Sequence, residues 1–288
     1  MKTPLALLCL IFSATVYAQD LTVSTTAIKD GLYLLQGRGG NVLASVGEDG
    51  VLMVDDDYAQ YAEAYKAALG KLSDEGPRYV LNTHWHGDHT GGNEFWGERG
   101  AVIVAHDNIY ARMSTRQEMK IFGRVVEASP RAALPEVTFA DSLALRFNGH
   151  TVEMNHLPSG HTDGDSVIYV VDANVVHMGD LFFKDRFPFV DMGSGGSVDG
   201  YLANVKTVLD SIDAETVIVP GHGTLADRSD LQRYLEMLTD TRAEVLAKLD
   251  QGMSVEEIQE QGLDGRWKSW GEGFINESTW IGFLAAGR

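Results

Sequence analysis

Across 288 residues the chain holds a single cysteine, Cys9. One thiol cannot build a disulfide framework or a sulfur-rich metal site, so stapling, thiolate catalysis and cysteine ligation are all set aside. Basic charge is also scarce: 23 lysines and arginines face 41 aspartates and glutamates, a formal charge of −18. No Lys/Arg run overrides that field, so nucleic acid and other polyphosphates are repelled. Repeats and low-complexity tracts are missing, and the N-terminal apolar run is too short to span a bilayer. What remains is an ordinary globular composition, 44% apolar, 22% charged and 9% aromatic. The length fits one large α/β domain or two modest ones.

Met1 to Ala18 reads as an export signal. Lys2 supplies the positive start, Leu5 to Phe12 the apolar stretch, and Val16-Tyr17-Ala18 a small-x-Ala cleavage pattern. A buried N-terminal strand is the alternative. Cys9 lies inside this segment, and Leu8 before it is too large for a lipoprotein site. Cleavage after Ala18 leaves 19–288 as a single domain without a thiol, with charge −19 because Lys2 departs. That chain is expected to be periplasmic or secreted and free of the membrane.

Short apolar runs at Gly31–Leu35, Val42–Ala44 and Val51–Val54 predict strands separated by glycine and acidic turns. Tyr58 to Leu69 has helical spacing, with Asp55 to Asp57 placed to cap it. Met113 to Ala133 reads as a helical insert or a mobile lid. Further strands follow at Leu143–Leu145, Thr151–Met154, Val167–Val170 and Val175–Val176, then a helix from about Tyr201 to Leu209 and a strand at Val217–Val219. Ser229 with Gln232 looks like a capping box opening a helix to about Leu249. Sheet and helices repeated in two halves imply an α/β (α+β) architecture, a four-layer αββα sandwich.

The chemistry centres on Thr83-His84-Trp85-His86-Gly87-Asp88-His89. His84 and His86, two apart at a strand end, project to one side and can grip one metal ion. Gly87 permits a sharp turn that lets Asp88 and His89 face a second. Gly160-His161-Thr162, Met178-Gly179-Asp180 and Pro220-Gly221-His222-Gly223 each place one more donor just past an apolar segment. Five histidines and two aspartates without sulfur suit zinc best, with iron and manganese as alternatives.

The His-x-His-x-Asp-His run, with its later histidine, aspartate and histidine in this order, resembles the metallo-β-lactamase superfamily of metal-dependent hydrolases. The likeness covers most of the mature chain and implies the αββα fold with two Zn2+ per chain at one sheet edge. By resemblance, His84, His86 and His161 would bind the first zinc, Asp88, His89 and His222 the second, and Asp180 would bridge. Two adjacent cations would generate hydroxide from a shared water and polarise a carbonyl, with Asp88 as catalytic proton relay.

Within the family, zinc β-lactamases normally carry cysteine at the place of Asp180 and a lysine three residues later. Here Phe183 stands at that place and Lys184 one further on, a candidate for the substrate carboxylate or simply a surface lysine. A bridging aspartate looks more like the glyoxalase II type of thioester hydrolase, which usually carries a separate helical domain. Export favours lactams, lactones and esters, so an exported zinc hydrolase with a small-molecule β-lactam or related substrate leads. The alternatives are a thioester hydrolase, an iron-dependent oxygenase on the same scaffold, and a metal-binding protein without turnover.

Several other residues admit two readings. Asp55 orients a ligand histidine or caps a helix. Asp163 and Asp165 are turn residues or partners of a ligand, and His106, His150, His156 and His177 read as structural or exposed. Gly193 to Gly196 forms a loop rather than a phosphate cradle, and the short glycine-rich stretch Gln36 to Asn41 predicts an open cleft. The aromatic tail (Trp267, Trp270, Phe274, Trp280, Phe283) packs on the sandwich or walls the cleft.

Overall fold

Alternating apolar residues become strands when both faces of the pleat find something to bury against. In the computed structural model, which describes residues 22–288, β1 (Ser24–Lys29), β2 (Leu32–Gln36), β3 (Val42–Gly47) and β4 (Gly50–Val54) form an antiparallel meander. β5 (Pro77–Leu81) and β6 (Val102–His106) join in parallel. A separate hairpin, β7 (Gln117–Met119) with β8 (Arg124–Val126), precedes β9 (Val137–Phe139), which closes the seven-stranded sheet beside β6. The second sheet holds β10 (Ser142–Phe147), β11 (His150–His156), β12 (Ser166–Val170) and β13 (Val175–His177) as an antiparallel run, with β14 (Val217–Val219) parallel to β13. Residues 1–18, expected to direct export, and Cys9 among them lie outside the described residues.

Burial shows the layers residue by residue. Leu34, Leu43, Leu52, Val54 and Leu81 of the first sheet pack against Val152, Met154, Ile168 and Val219 of the second. Their strand neighbours point the other way: Leu35, Val42, Met53 and Val80 meet Tyr65, Ala68 and Trp96. These belong to α1 (Ala62–Leu69) and to α3 (Asn93–Gly97), which follows the short α2 (Gly87–Thr90). On the far side Val167, Val176 and Ile218 pack on Val205, Val208 and Tyr234. α4 (Asp107–Met113) leads out of β6, whereas those outer side chains belong to α5 (Val198–Ser211) and α6 (Arg228–Asp250). Behind them stand α7 (Val255–Gln261) and α8 (Glu277–Ala286). Helix, sheet, sheet, helix is the predicted order.

Three local expectations are corrected. Asp55 to Asp57 do not cap α1 through their side chains; they are buried, and a 3-10 turn at Ala59–Tyr61 leads into the helix. α6 begins earlier than the Ser229/Gln232 box implies, because Asp227 and Asp230 form the reciprocal cap. Met113 to Ala133 is not a helical insert: it contains the β7–β8 hairpin, turned by Gly123 in a left-handed conformation (φ 57°).

Candidate metal centre

Strand direction explains why distant donors meet. β11, β13 and β14 run the same way across the second sheet, so the segments leaving them with His161, Asp180 and His222 emerge at one edge. Opposite, β5 delivers His84 and His86, and the single turn of α2 carries Asp88 and His89.

Two donor groups result. His84, His86, His161 and Asp180 form one, and Asp88, His89 and His222 the other, the donor atoms of each lying within 4.8 Å of one another. Asp180 divides its oxygens between them. Oδ2 lies 3.5 Å from His161 Nε2 and 3.7 Å from His84 Nε2, while Oδ1 lies 3.0 Å from His89 Nε2 and 3.3 Å from His222 Nε2. Asp88 Oδ2 stands 3.4 Å from His222 Nε2 and 3.7 Å from His89 Nε2. Donors held about 2.1 Å from a tetrahedral ion are about 3.4 Å apart, so most of these separations match the edges of a coordination polyhedron. The 2.8 Å between His86 Nδ1 and His161 Nε2 is tighter. His84 Nε2, His89 Nε2 and Asp180 Oδ1 are buried without a hydrogen-bond partner among the described residues, His89 and Asp180 being close but not aligned. Buried polar atoms left this way are costly unless something else satisfies them, and a cation does.

Four of the five donor imidazoles are held from their other nitrogen. His84 Nδ1 meets Thr83 Oγ1 at 3.0 Å, His86 Nε2 meets Asp191 Oδ2 at 2.9 Å, and His161 Nδ1 donates to the Phe189 carbonyl at 2.8 Å. His89 Nδ1 lies 2.7 Å from Asp55 Oδ2, which also accepts from Thr83 Oγ1, while Asp55 Oδ1 accepts from Thr83 N. One buried carboxylate therefore steadies His89 directly and His84 through Thr83. Asp55 orients a histidine rather than capping a helix, and its φ of 60° marks a strained backbone there.

Burial lowers His161 to about 4 and His84 well below the ordinary imidazole value, so both rings are neutral, the form that donates to a metal. At Asp88 and Asp180 burial acts upward, but the neighbouring His89 and His222 outweigh it, leaving Asp88 at about 2 and Asp180 well below the usual range. Conversely, burial would lower His89 and His222, yet Asp180 and Asp88 push both up, His222 to about 9. The carboxylates thus draw positive charge into the cluster, and a bound cation would displace those protons.

All seven sequence-predicted donors come together; Lys184 does not join them. Its Nζ donates to the Leu225 carbonyl at 2.7 Å and pairs with Asp230 at 2.8 Å, away from the cavity beside the donors. Phe183, one residue earlier, lies there instead, stacked on His222. Asp163 is bound by Arg112, and buried Asp165 accepts from Thr162 N and Oγ1, fixing the His161 turn. His106, His150 and His177 bond backbone carbonyls, and His156 stacks on His106. In the loop 193–196, Gly196 packs against the His161 carbonyl and Ser194 N donates to Asp191. Asp191 itself escaped the sequence reading, since nothing local distinguishes it from a turn aspartate.

A cavity of about 620 Å³ opens over the donors, lined by His86, Asp88, Asp180 and His222. Its far wall comes from the hairpin (Met119, Phe122, Arg124) and from Phe274, so the cleft is more enclosed than the short 36–41 loop alone implies. Of the tail aromatics, Trp267, Trp270, Trp280 and Phe283 pack inside, and Phe274 walls the cleft.

Paired sheets flanked by helices, with a His/Asp cluster at one edge able to hold metal, define the class of this protein. A family model described as the metallo-beta-lactamase superfamily matches residues 33–222, and the chain belongs to that superfamily. It is 23% identical over 239 residues to the metallo-beta-lactamase type 2 of Bacteroides fragilis, covering 77% of this chain and 90% of that one. Among solved structures, a metallo-beta-lactamase from Pontibacter korlensis shares the fold with a TM-score of 0.61 at 18% identity, over 76% of this chain and all of that one. A sec-alkylsulfatase from Pseudomonas sp. matches with a TM-score of 0.64 at 17% identity, over 91% of this chain and 49% of its own length.

Proposed function

We propose that the chain is an exported zinc-dependent hydrolase of small molecules, with a β-lactam or a related lactone or ester as the leading substrate. One observation carries the reading: Asp180 presents one carboxylate oxygen to each of two donor groups, an arrangement that suits a two-ion site. Two zinc ions, when bound, supply hydroxide at neutral pH and polarise the bond to be cleaved. His84, His86 and His161 would hold one ion, Asp88, His89 and His222 the other, and Asp180 would bridge them. Asp88 faces the cavity and would carry the proton from the attacking water to the leaving group. Tyr58 lines the same wall; burial and the charge of Asp88 raise its phenol to about 12, so it stays protonated and can donate a hydrogen bond to substrate.

The aspartate at 180 also favours a thioester, the second reading. Purified protein should contain about two zinc ions and hydrolyse at least one compound in a screen of lactams, lactones, thioesters and secondary alkyl sulfates. His86→Ala should lower turnover about 100-fold or more with the circular dichroism spectrum retained. A single iron per chain with oxygen consumption, or unchanged turnover in that variant, would overturn the assignment. Export predicts a mature N-terminus at Gln19; an intact residue 1–18 segment on the extracytoplasmic protein would remove that part of the reading.

A further inference from the structure

Arginines on a strongly acidic protein readily find carboxylates, as Arg116, Arg233 and Arg242 do. At the cavity three do not. Arg38 arrives from the loop after β2, Arg124 from the hairpin and Arg186 from the segment following Phe183; all three are exposed at the cavity rim. No carboxylate of the described residues comes within ion-pair distance of their guanidinium groups. Arg112, in the same lining, is by contrast committed to Asp163. Besides the donors Asp88 and Asp180, two acidic side chains share the lining, Glu94 and Glu127, and Glu127 lies 3.7 Å from Arg116.

Between these cations runs an apolar wall that water should disfavour. Phe122 is 41% exposed and Phe274 70% exposed. Their rings stand 5.5 Å apart, and Phe122 lies 5.1 Å from Phe189, which stacks on His86 at 5.7 Å. The wall therefore begins at the donor cluster and ends in solvent, and the stem of Arg186 lies along Gly273 beside Phe274. Exposed aromatic rings leading to unpaired guanidinium groups match one kind of ligand, because planar guanidinium forks bind oxyanions and aromatic faces bind apolar chains.

We propose that the substrate is an amphipathic anion, its apolar body along Phe122, Phe189 and Phe274 and its carboxylate or sulfate group held by Arg38, Arg124 and Arg186. The inference rests on the hydrolase site described above and names the class of molecule that site accepts. Calorimetric titration of the protein as purified, its metal content measured, with decanoate, decyl sulfate and neutral decanamide tests it. Both anions, or whichever of the two the native group resembles, should bind about tenfold or more tighter than the amide. The triple variant Arg38→Met, Arg124→Met, Arg186→Met should abolish that preference, while Phe122→Ser with Phe274→Ser should weaken all three ligands together. Every substituted side chain is exposed and the donor residues are untouched, so coordination of a given ligand by metal is the same in wild type and variant, and the change in anion preference between them reports the arginines. Equal affinity for the three ligands in the wild type, or an undiminished anion preference in the arginine variant, overturns the proposal. The expected binding pattern with no turnover of any screened compound would instead sink the hydrolase reading alone.

Discussion

Asp55 shows how much of a metal centre is built by residues that never touch the ion. Its two oxygens accept from Thr83 N, Thr83 Oγ1 and His89 Nδ1, with Thr83 Oγ1 in turn beside His84. An asparagine has one acceptor oxygen, so its amide would face a donor and misplace either Thr83 or His89. Asp55→Asn is expected to weaken metal binding about 10- to 100-fold, read by competition with a zinc-chelating dye. A variant that binds zinc like the parent would mean that the carboxylate only fills space. The same logic separates Asp180 from Lys184: a side chain acts where its atoms are held, and Lys184 is held by Leu225 and Asp230.

Among the elements, the loop at residues 36–41 is glycine-rich because of what lies beneath it. A Cβ at Gly40 would collide with the His89 ring, and one at Gly221 with Asp180 Oδ1. The loop therefore presses its backbone onto the donor cluster, with Gly40 N donating to the Asp88 carbonyl at 3.0 Å. Gly40→Ala should displace His89, reducing bound metal from about two ions towards one and hydrolysis by about 100-fold. Full metal content by mass spectrometry in that variant would show that the loop yields instead. The hairpin has the complementary role, supplying the outer wall through Phe122 and Arg124 while contributing no donor.

At the scale of the whole molecule, the two sheets are joined by side chains at the ends of their strands as well as by the apolar interior. His106, closing β6, stacks on His156, closing β11, at 3.6 Å. Burial lowers the pKa of His156, with His106 adding repulsion, while the Asp165 carbonyl bond and the charges of Asp163 and Asp141 act the other way. The folded chain thus binds a proton at His156 less readily than the unfolded chain, whose histidine titrates near about 6.5. This contribution is intact above that value and is lost as pH falls below it. Thermal unfolding should therefore show a lower midpoint at pH 5.5 than at pH 7.5, and His156→Gln should shrink the difference. An identical acid loss in that variant would place the sensitivity elsewhere.

The αββα order was legible in the string because alternation of period two and the spacing of Tyr58 to Leu69 are local consequences of burial on one face. The seven donors were legible too, since each sits in a turn just past an apolar strand, where a histidine or aspartate finds no core to join. Asp191, the Asp227 cap, the Phe122–Phe189–Phe274 wall and the unpaired arginines were not, nor was the diversion of Lys184. Apart from the Asp227 cap, whose partner Asp230 is three residues on, their partners lie far away along the chain (105 residues separate His86 from Asp191), and only packing the two sheets face to face brings them into contact. Periodicity records which face a residue turns to the interior; which atoms it meets there is decided when the layers close.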